Sequence, residues 1–421
     1  MSPDSSVSLA VRYEAVCAYL FGLKAAHGLK FGIDRMRDFA AVLGHPEAAL
    51  PLVHVAGTNG KGSVVAMLDS IFRAAGWRVG MYTSPHLVML GERVQVERQP
   101  LRPEEIVAYV DELRPIAERM GGGCAEDQPS FFEFMTAMAL FQFVRQRCDI
   151  GLVEVGLGGR LDATNIVTPE LSIISSIGMD HCEMLGHSLT EIAAEKAGII
   201  KPGVPVVIGR LPSEAEAVDL EAYPKTNLEG DYQRWNAATA ALAARVLTTI
   251  KSRWALTEER IAEGLARVDW PGRWQRMQVG GRLLILDSSH NPEGASVLDA
   301  NLAQLVTETG RRPVVIAGVL GAARARPLLE TISRHAGALH LVVPDQPRAC
   351  SLDELMGLVP EGFRANVIRD GVARLFPAAG KCTAGAADDV VVVTGSIYLI
   401  GEVLARLQPP PRAPEPRLQD F

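Results

Sequence analysis

The residues best suited to chemistry run from Val55 to Ser63, Val-Ala-Gly-Thr-Asn-Gly-Lys-Gly-Ser. Gly57, Gly60 and Gly62 let a backbone curl so that its N–H groups face an anion at a helix N-terminus. Thr58 and Asn59 sit among those glycines. Lys61 has the reach of a phosphate-binding lysine, and the Ser63 hydroxyl suits the metal that travels with a phosphate. The common P-loop spelling is not matched letter for letter: Val55 stands for its first glycine, and Gly62 separates Lys61 from Ser63. A strand-like run before the loop and a helical run after it make nucleotide binding a better reading than a plain glycine turn.

Three more polar clusters close apolar runs. Tyr82-Thr83-Ser84-Pro85-His86-Leu87 closes the first, and ligands of open α/β sheets gather beyond the carboxyl ends of the strands. Ser84 can act there as a metal or phosphate ligand, or as a turn serine. Glu154 closes the second and leads into Val155-Gly156-Leu157-Gly158-Gly159-Arg160 and Leu161-Asp162-Ala163-Thr164-Asn165. A carboxylate in that place suits Mg2+, a hard cation that prefers oxygen. Gly178-Met179-Asp180-His181 closes the third. A lone histidine is more often packed than ligating, but three donors at strand ends near one phosphate loop shift that weighting.

Lys196 stands out by periodicity. Leu189, Ile192, Ala193, Lys196, Ile199 and Ile200 share one helical face, the apolar one. A lysine there must snorkel to solvent, pair with Glu195 or Asp180, or lose its charge and become a nucleophilic amine. The chain has eight lysines against 34 arginines, so such a lysine is worth reading for chemistry that arginine cannot perform. In the second half, Leu284–Leu286 runs into Asp287-Ser288-Ser289-His290-Asn291-Pro292. These polar groups can line a ligand cleft, or Ser289 or Asn291 can cap a helix.

The elements that must carry these residues alternate. Strands are predicted at Leu52–Ala56, Arg78–Tyr82, Ile150–Val155, Leu171–Ile177 and Val204–Ile208. Helices are predicted at Ser63–Ala75, Phe131–Val144 and Leu189–Ile200, the last with Ser188 and Glu191 at capping-box spacing. An alanine-rich helix from Asn236 to Leu247 and a charged one at Glu258–Val268 come next. Trp270-Pro271-Gly272 then breaks the pattern. Beyond it, strands are expected at Leu283–Leu286, Val314–Val319, Leu339–Val343, Ala365–Ile368 and Val390–Thr394. The pattern implies two mainly parallel sheets with helices on both faces: a larger domain over 1–269, a smaller one over 270–408, and a proline-rich disordered tail over 409–421.

Composition sets outer limits. The 421 residues are 48% hydrophobic and 22% charged, a globular balance that excludes a wholly disordered chain. A net charge of −7 gives no basic surface for nucleic acid. Cys17, Cys124, Cys148, Cys182, Cys350 and Cys382 form no C-x-x-C pair, which argues against zinc knuckles and disulfide frameworks. The polar N-terminus lacks a signal-peptide plan, and no run is long enough to span a membrane. A cytoplasmic protein with no membrane partner is the expectation.

Taken together, the motifs His54-Val55-Ala56-Gly57-Thr58-Asn59-Gly60-Lys61-Gly62-Ser63, Ser84-Pro85-His86-Leu87, Phe132-Glu133-Phe134, Glu154 to Asn165 and Ile177 to Lys201 resemble the folylpolyglutamate synthase/dihydrofolate synthase family, relatives of the Mur ligases. The likeness runs from Phe31-Gly32-Ile33-Asp34-Arg35 to Val393-Thr394-Gly395-Ser396-Ile397-Tyr398. It implies a P-loop-containing ATPase domain followed by a smaller Rossmann-like α/β domain, and an ATP-dependent ligase that adds L-glutamate to dihydropteroate or reduced folates through an acyl phosphate. The resemblance further implies Mg2+, as two ions, with ligands at Ser84, Glu154 and His181, and a carbamylated Lys196. It implies nucleotide contacts at Asn236, Arg273 and Asp287, with His290 and Ser396 on the glutamate side. The pterin end is expected near Gly32, Ile33 and Asp34, near Ser130, Phe131, Phe132 and Glu133, and near Leu161, Asp162 and Ala163. A monomer acting on ATP, a folate and glutamate follows. Alternatives are a Mur-type ligase with another acyl substrate and a non-catalytic nucleotide-binding relative. The chain departs from the family pattern in Asp287-Ser288-Ser289-His290, in Gly321-Ala322-Ala323-Arg324, in Tyr232, and in a short stretch between Ile208 and Asp231.

Overall fold

The computed structural model describes residues 8–27, 32–124, 127–210, 223–251 and 254–409. Phe31, most of the short stretch after Ile208, and the predicted tail from Pro410 onward lie outside the described residues. The described chain forms two compact units. One holds the residues up to His86 with Leu90–Asn227 and Gln233–Asp269; the other holds Leu87–Met89, Leu228–Tyr232 and the chain from Trp270. The two short excursions into the second unit carry no signal in the sequence.

The first unit is built on seven strands: β1 (Leu52–Ala56), β2 (Val79–Tyr82), β3 (Val94–Val96), β4 (Gln99–Pro100), β5 (Ile150–Glu154), β6 (Leu171–Ser176) and β7 (Val206–Arg210). Their order is β4-β3-β2-β5-β1-β6-β7. All pairings are parallel except those of β3 with β2 and with β4. β1 and β5 lie inside the sheet and every residue of each is buried, which is why both are mainly apolar, with His54 inside β1 and Glu154 at the end of β5 as the polar exceptions. The helix after β1 spans Lys61–Ala74 and starts two residues earlier than its apolar spacing suggests. The helix at Phe131–Arg145 is buried on most of its circumference.

The helix carrying Lys196 is shorter than expected, Leu189–Ala197. Ser188 caps it, its hydroxyl accepting the Glu191 N–H at 3.2 Å. Ile192, Lys196 and Ile199 are buried, but Leu189 and Ile200 are each 39% exposed. The apolar face is therefore narrower than predicted, because Ile200 lies beyond the helix end and Leu189 in its first turn.

The second unit has β8 (Gln275–Val279), β9 (Arg282–Leu286), β10 (Val314–Ala317), β11 (Ala338–Leu341), β12 (Asn366–Arg369) and β13 (Val391–Thr394). The order is β12-β11-β10-β13-β9-β8, parallel except for β8 against β9. Two apolar cores flank the sheet. Leu298, Leu302, Leu328 and Ile332 lie in one, and Phe376, Leu399, Val403 and Leu404 in the other. That is a sheet covered by helices on both faces.

Candidate active site

The phosphate loop joins β1 to the helix Lys61–Ala74 and is stitched to the end of β6. Thr58 N–H donates to the Ser176 carbonyl at 3.0 Å, and Asn59 N–H to the Ser176 hydroxyl at 2.9 Å. The Ser175 hydroxyl donates to the Asn59 carbonyl at 2.7 Å. The Thr58 hydroxyl bridges the backbone of Gly178, donating to its carbonyl at 3.1 Å and accepting its N–H at 3.0 Å. Two glycines are required by contact. A Cβ on Gly57 would lie 1.9 Å from the Ser175 Oγ, and one on Gly60, which has φ +82°, 2.4 Å from the Asn236 Oδ1. Asn236 is therefore packed against the loop, from the helix Asp231–Ile250. Lys61 is the first helical residue, and its Nζ donates to the carbonyls of Gly57 at 3.0 Å and Thr58 at 3.4 Å. The ammonium is held at the loop as a point charge. Gly62 and Ser63 follow, both buried in the first helical turn.

Strand order gathers the other groups. β2, β5, β1 and β6 are consecutive and parallel, so their carboxyl ends share one edge of the sheet. Ser84 lies just past β2 and Glu154 ends β5; the Ser84 N–H donates to the Glu154 carboxylate at 3.2 Å. Glu154 is 4% exposed. His181 follows β6 with a left-handed backbone, φ 50°, and its N–H donates to the Asp180 carboxylate at 2.9 Å. Lys196 is 3% exposed. Its helix is gripped by the turn after β5, where Arg160 N–H donates to the Glu195 carbonyl at 2.8 Å and the Arg160 guanidinium pairs with the Glu195 carboxylate at 2.7 Å. Glu195, one of the two carboxylates weighed as a partner for Lys196, is engaged there. Among the described residues no three or more His, Cys, Asp or Glu side chains converge to hold an ion by themselves. A magnesium ion that takes phosphate oxygens and water needs only one or two carboxylates.

Asp162 is an organiser. One carboxylate oxygen accepts the N–H groups of Gly156 and Leu157 at 3.1 and 3.0 Å, and the other accepts the Thr164 N–H at 2.9 Å and its hydroxyl. Burial pushes the Asp162 pKa up against these four bonds, which favour its ionised form. Because the Thr164 hydroxyl donates to Asp162, it accepts from the His54 Nε2–H at 2.8 Å. His54 is wholly buried in β1, and burial with nearby Lys201 pushes its pKa down to about 3. The sequence motif contains His54, but its role as a neutral prop for this loop needed the pairing to be seen.

The three patches expected at the pterin end come together in the first unit. The Arg35 guanidinium, from the helix Asp34–Val42, binds the Glu133 carboxylate at 2.7 Å. The same oxygen accepts the Ser130 N–H at 2.6 Å in a capping box. This ties Gly32, Ile33 and Asp34 to Ser130, Phe131, Phe132 and Glu133. The turn Ala163–Ile166, next to Leu161 and Asp162, packs on both helices. Arg93, fully buried, was not singled out by sequence. Its guanidinium lies 5.1 Å from the Phe131 ring centre and donates to the His86 Nδ1 at 2.9 Å.

In the second unit, Asp287 follows β9. Its carboxylate accepts the N–H groups of Trp274 at 3.2 Å and Ser289 at 3.0 Å. The left-handed pair Gly272 and Trp274 (φ 77° and 52°) brackets a half-buried Arg273. His290 Nδ1 lies 2.8 Å from the Ser288 carbonyl. A carbonyl only accepts, so the neutral ring carries its proton on Nδ1 and Nε2 is the basic nitrogen. Asn291 caps the helix Pro292–Thr309 through the Gly294 N–H at 2.8 Å. Ser396 caps the helix Ile397–Leu407.

Residues 55–208 match the Mur ligase middle domain and residues 272–397 the Mur ligase glutamate ligase domain. The chain is 33% identical to a dihydrofolate synthase/folylpolyglutamate synthase of Bacillus subtilis over 94% of this chain and 99% of that protein. It is 33% identical to a folylpolyglutamate synthase of Lacticaseibacillus casei over 88% and 92%. A Mycobacterium tuberculosis folylpolyglutamate synthase complexed with ADP superposes with a TM-score of 0.81 at 26% identity, covering 96% of this chain and all of that one. An ATP-dependent ligase is what this likeness establishes, and the chain belongs to the folylpolyglutamate synthase/dihydrofolate synthase family of the Mur ligase superfamily.

Proposed function

We propose that this ligase joins L-glutamate to dihydropteroate, to reduced folates, or to both, through an acyl phosphate. The observation that carries the reading is the shared carboxyl edge of β2, β5, β1 and β6, which brings a phosphate loop, a hydroxyl and a buried carboxylate to one place. Two anions, ATP and a carboxylate, must meet in the reaction, and Lys61 and Arg273 offset their repulsion. A carboxylate oxygen of the pterin substrate attacks the γ-phosphorus; the new P–O bond forms as the bond to ADP breaks. The glutamate amine then attacks the acyl carbon. The C–N bond forms, phosphate leaves with its oxygen, and the Nε2 of His290 accepts the amine proton.

The donor chemistry at Ser84 and Glu154, a hydroxyl and a carboxylate, fits Mg2+. His181 would join Ser84 and Glu154 on that ion, and Lys196 would hold a second one once its neutral amine has added to carbon dioxide, forming an N–C bond and releasing one proton to water. Bound there, the ions would offset phosphate charge. The pterin is read at Gly32–Asp34, Ser130–Glu133 and Leu161–Ala163, the adenine at Asn236, the nucleotide's remaining contacts at Arg273 and Asp287, and glutamate near Ser396. No helix among the described residues is long and apolar enough to cross a membrane; we read the protein as a cytoplasmic monomer.

The test is ADP release with L-glutamate and, in turn, dihydropteroate, tetrahydrofolate and a Mur-type acyl substrate. Glutamate-dependent release with a pterin is expected. Its absence with both pterins, or release only with the Mur-type substrate, overturns the assignment.

A further inference from the structure

A cation–aromatic stack stands beside the phosphate loop, on the β6–β7 side. β7 is the edge strand, and its last residue, Arg210, pairs in register with Ser176. Ser176 is the residue that holds Asn59 of the loop. The Arg210 guanidinium lies 3.5 Å from the Trp235 ring centre. Trp235 directly precedes Asn236, which touches Gly60. One helical turn later Thr239 packs on the same strand end: a Cβ on Gly209 would lie 3.0 Å from its hydroxyl. The stack is thus fixed to the loop twice, one strand spacing beyond Ser176, about 4.8 Å, and one residue before Asn236. Arg210 is exposed and Trp235 half-buried. Among the described residues no carboxylate pairs with Arg210, so an exposed, unneutralised cation stands close to an anion site.

We propose that Arg210, backed by Trp235, is the wall on which the purine base of ATP stacks. This rests on the reading of Val55–Ser63 as the triphosphate loop. With one face of its guanidinium over the indole, Arg210 leaves its other face as a flat cationic surface on which an aromatic ring can stack, while its in-plane N–H groups could still reach a phosphate, the alternative that tripolyphosphate tests. Trp235 directly precedes Asn236, the residue read as the adenine contact, so the stack offers a planar surface beside the place read for the base. Every base has a π-face, so the wall supplies affinity without choosing adenine.

The experiment is equilibrium binding by calorimetry, on the full chain with Mg2+ but neither pterin nor glutamate. The ligands are ATP, GTP and inorganic tripolyphosphate. Arg210→Ala should weaken ATP and GTP about tenfold, a typical loss for removing one stacking partner, and leave tripolyphosphate within twofold of the parent. Arg210→Lys, which keeps the charge and loses the plane, should behave like Arg210→Ala. Unchanged ATP affinity in Arg210→Ala overturns the proposal. So does an equal loss for tripolyphosphate, or full rescue by Arg210→Lys, since either assigns the cation to the phosphates. Trp235→Phe, a milder change, should cost ATP less than Arg210→Ala does. No outcome depends on turnover, so a failed ligase assay and a failed base wall remain distinguishable.

Discussion

At the scale of single residues, arginine makes most of the ion pairs, Lys251 with Glu170 being a lysine exception, and two lysines stand where a compact or titratable charge is needed. Arg35, Arg160 and Arg276 each bind carboxylates, the fork-like work that guanidinium suits. Lys61 and Lys196 stand elsewhere, one with its ammonium on loop carbonyls, the other buried at the end of an amphipathic helix. Arginine cannot form a carbamate at all. Lys196→Ala is therefore expected to lose at least a hundredfold in glutamate-dependent ADP release, and to regain part of it when acetate or another short carboxylate fills the gap. Mass spectrometry of native protein prepared under carbon dioxide should find one added carboxylate on Lys196. Activity equal to the parent's, or a loss that no carboxylate relieves, would sink the carbamate.

At the scale of elements, the phosphate loop depends on a conformation that only glycine adopts without strain. Gly60 combines φ +82° with Asn236 Oδ1 at 2.4 Å from any added Cβ. Gly60→Ala should cost about 1–2 kcal/mol for the left-handed backbone and weaken ATP binding at least tenfold, read by thermal unfolding with and without nucleotide; a variant that binds ATP as the parent does contradicts the loop geometry. The loop, β1, β5 and the ends of Ser84, Glu154 and His181 were legible because central parallel strands are apolar on both faces and glycines punctuate their exits. The hairpin of β3 and β4 was not. Its strands are three and two residues long, and its turn places Glu97 and Arg98 in the left-handed region, without the glycine or asparagine that advertises such turns. β8 was missed because an edge strand reading Gln-Arg-Met-Gln-Val has no apolar run. Ser175 and Ser176 hold the loop, yet two serines at the end of an apolar strand mean nothing until β6 is known to lie beside β1. The width of the Lys196 face was overestimated because periodicity cannot see where a helix stops.

At the scale of the molecule, two buried ionisable groups of the first unit pull its stability in opposite directions between about pH 4 and 6. His54 is neutral in the fold, with its pKa pushed down to about 3 by burial and by Lys201. The unfolded chain takes up a proton below pH ~6.5 and the folded one does not, so stability falls as pH drops from there towards 3. Asp69 acts in the opposite range. It sits on the helix Lys61–Ala74, 1% exposed, and burial raises its pKa to about 6 although Arg73 binds it at 3.0 Å and Arg98 is near. Below pH ~4 both states are protonated and nothing is lost. As pH rises through 6 the unfolded carboxyl is already ionised while the folded one resists, so a penalty grows and is complete above 6. Asp69→Asn removes that penalty and keeps a polar group for Arg73. It should stabilise the first unit by about 1–3 kcal/mol at pH 7.5, on the scale of 1.36 kcal/mol per pKa unit, and by nothing measurable at pH 4. Urea unfolding at the two pH values, followed by the fluorescence of Trp77 and Trp254, which pack against each other in this unit, reads the difference. A destabilised variant at pH 7.5 would mean that the ion pair with Arg73 outweighs the cost of burying the carboxylate.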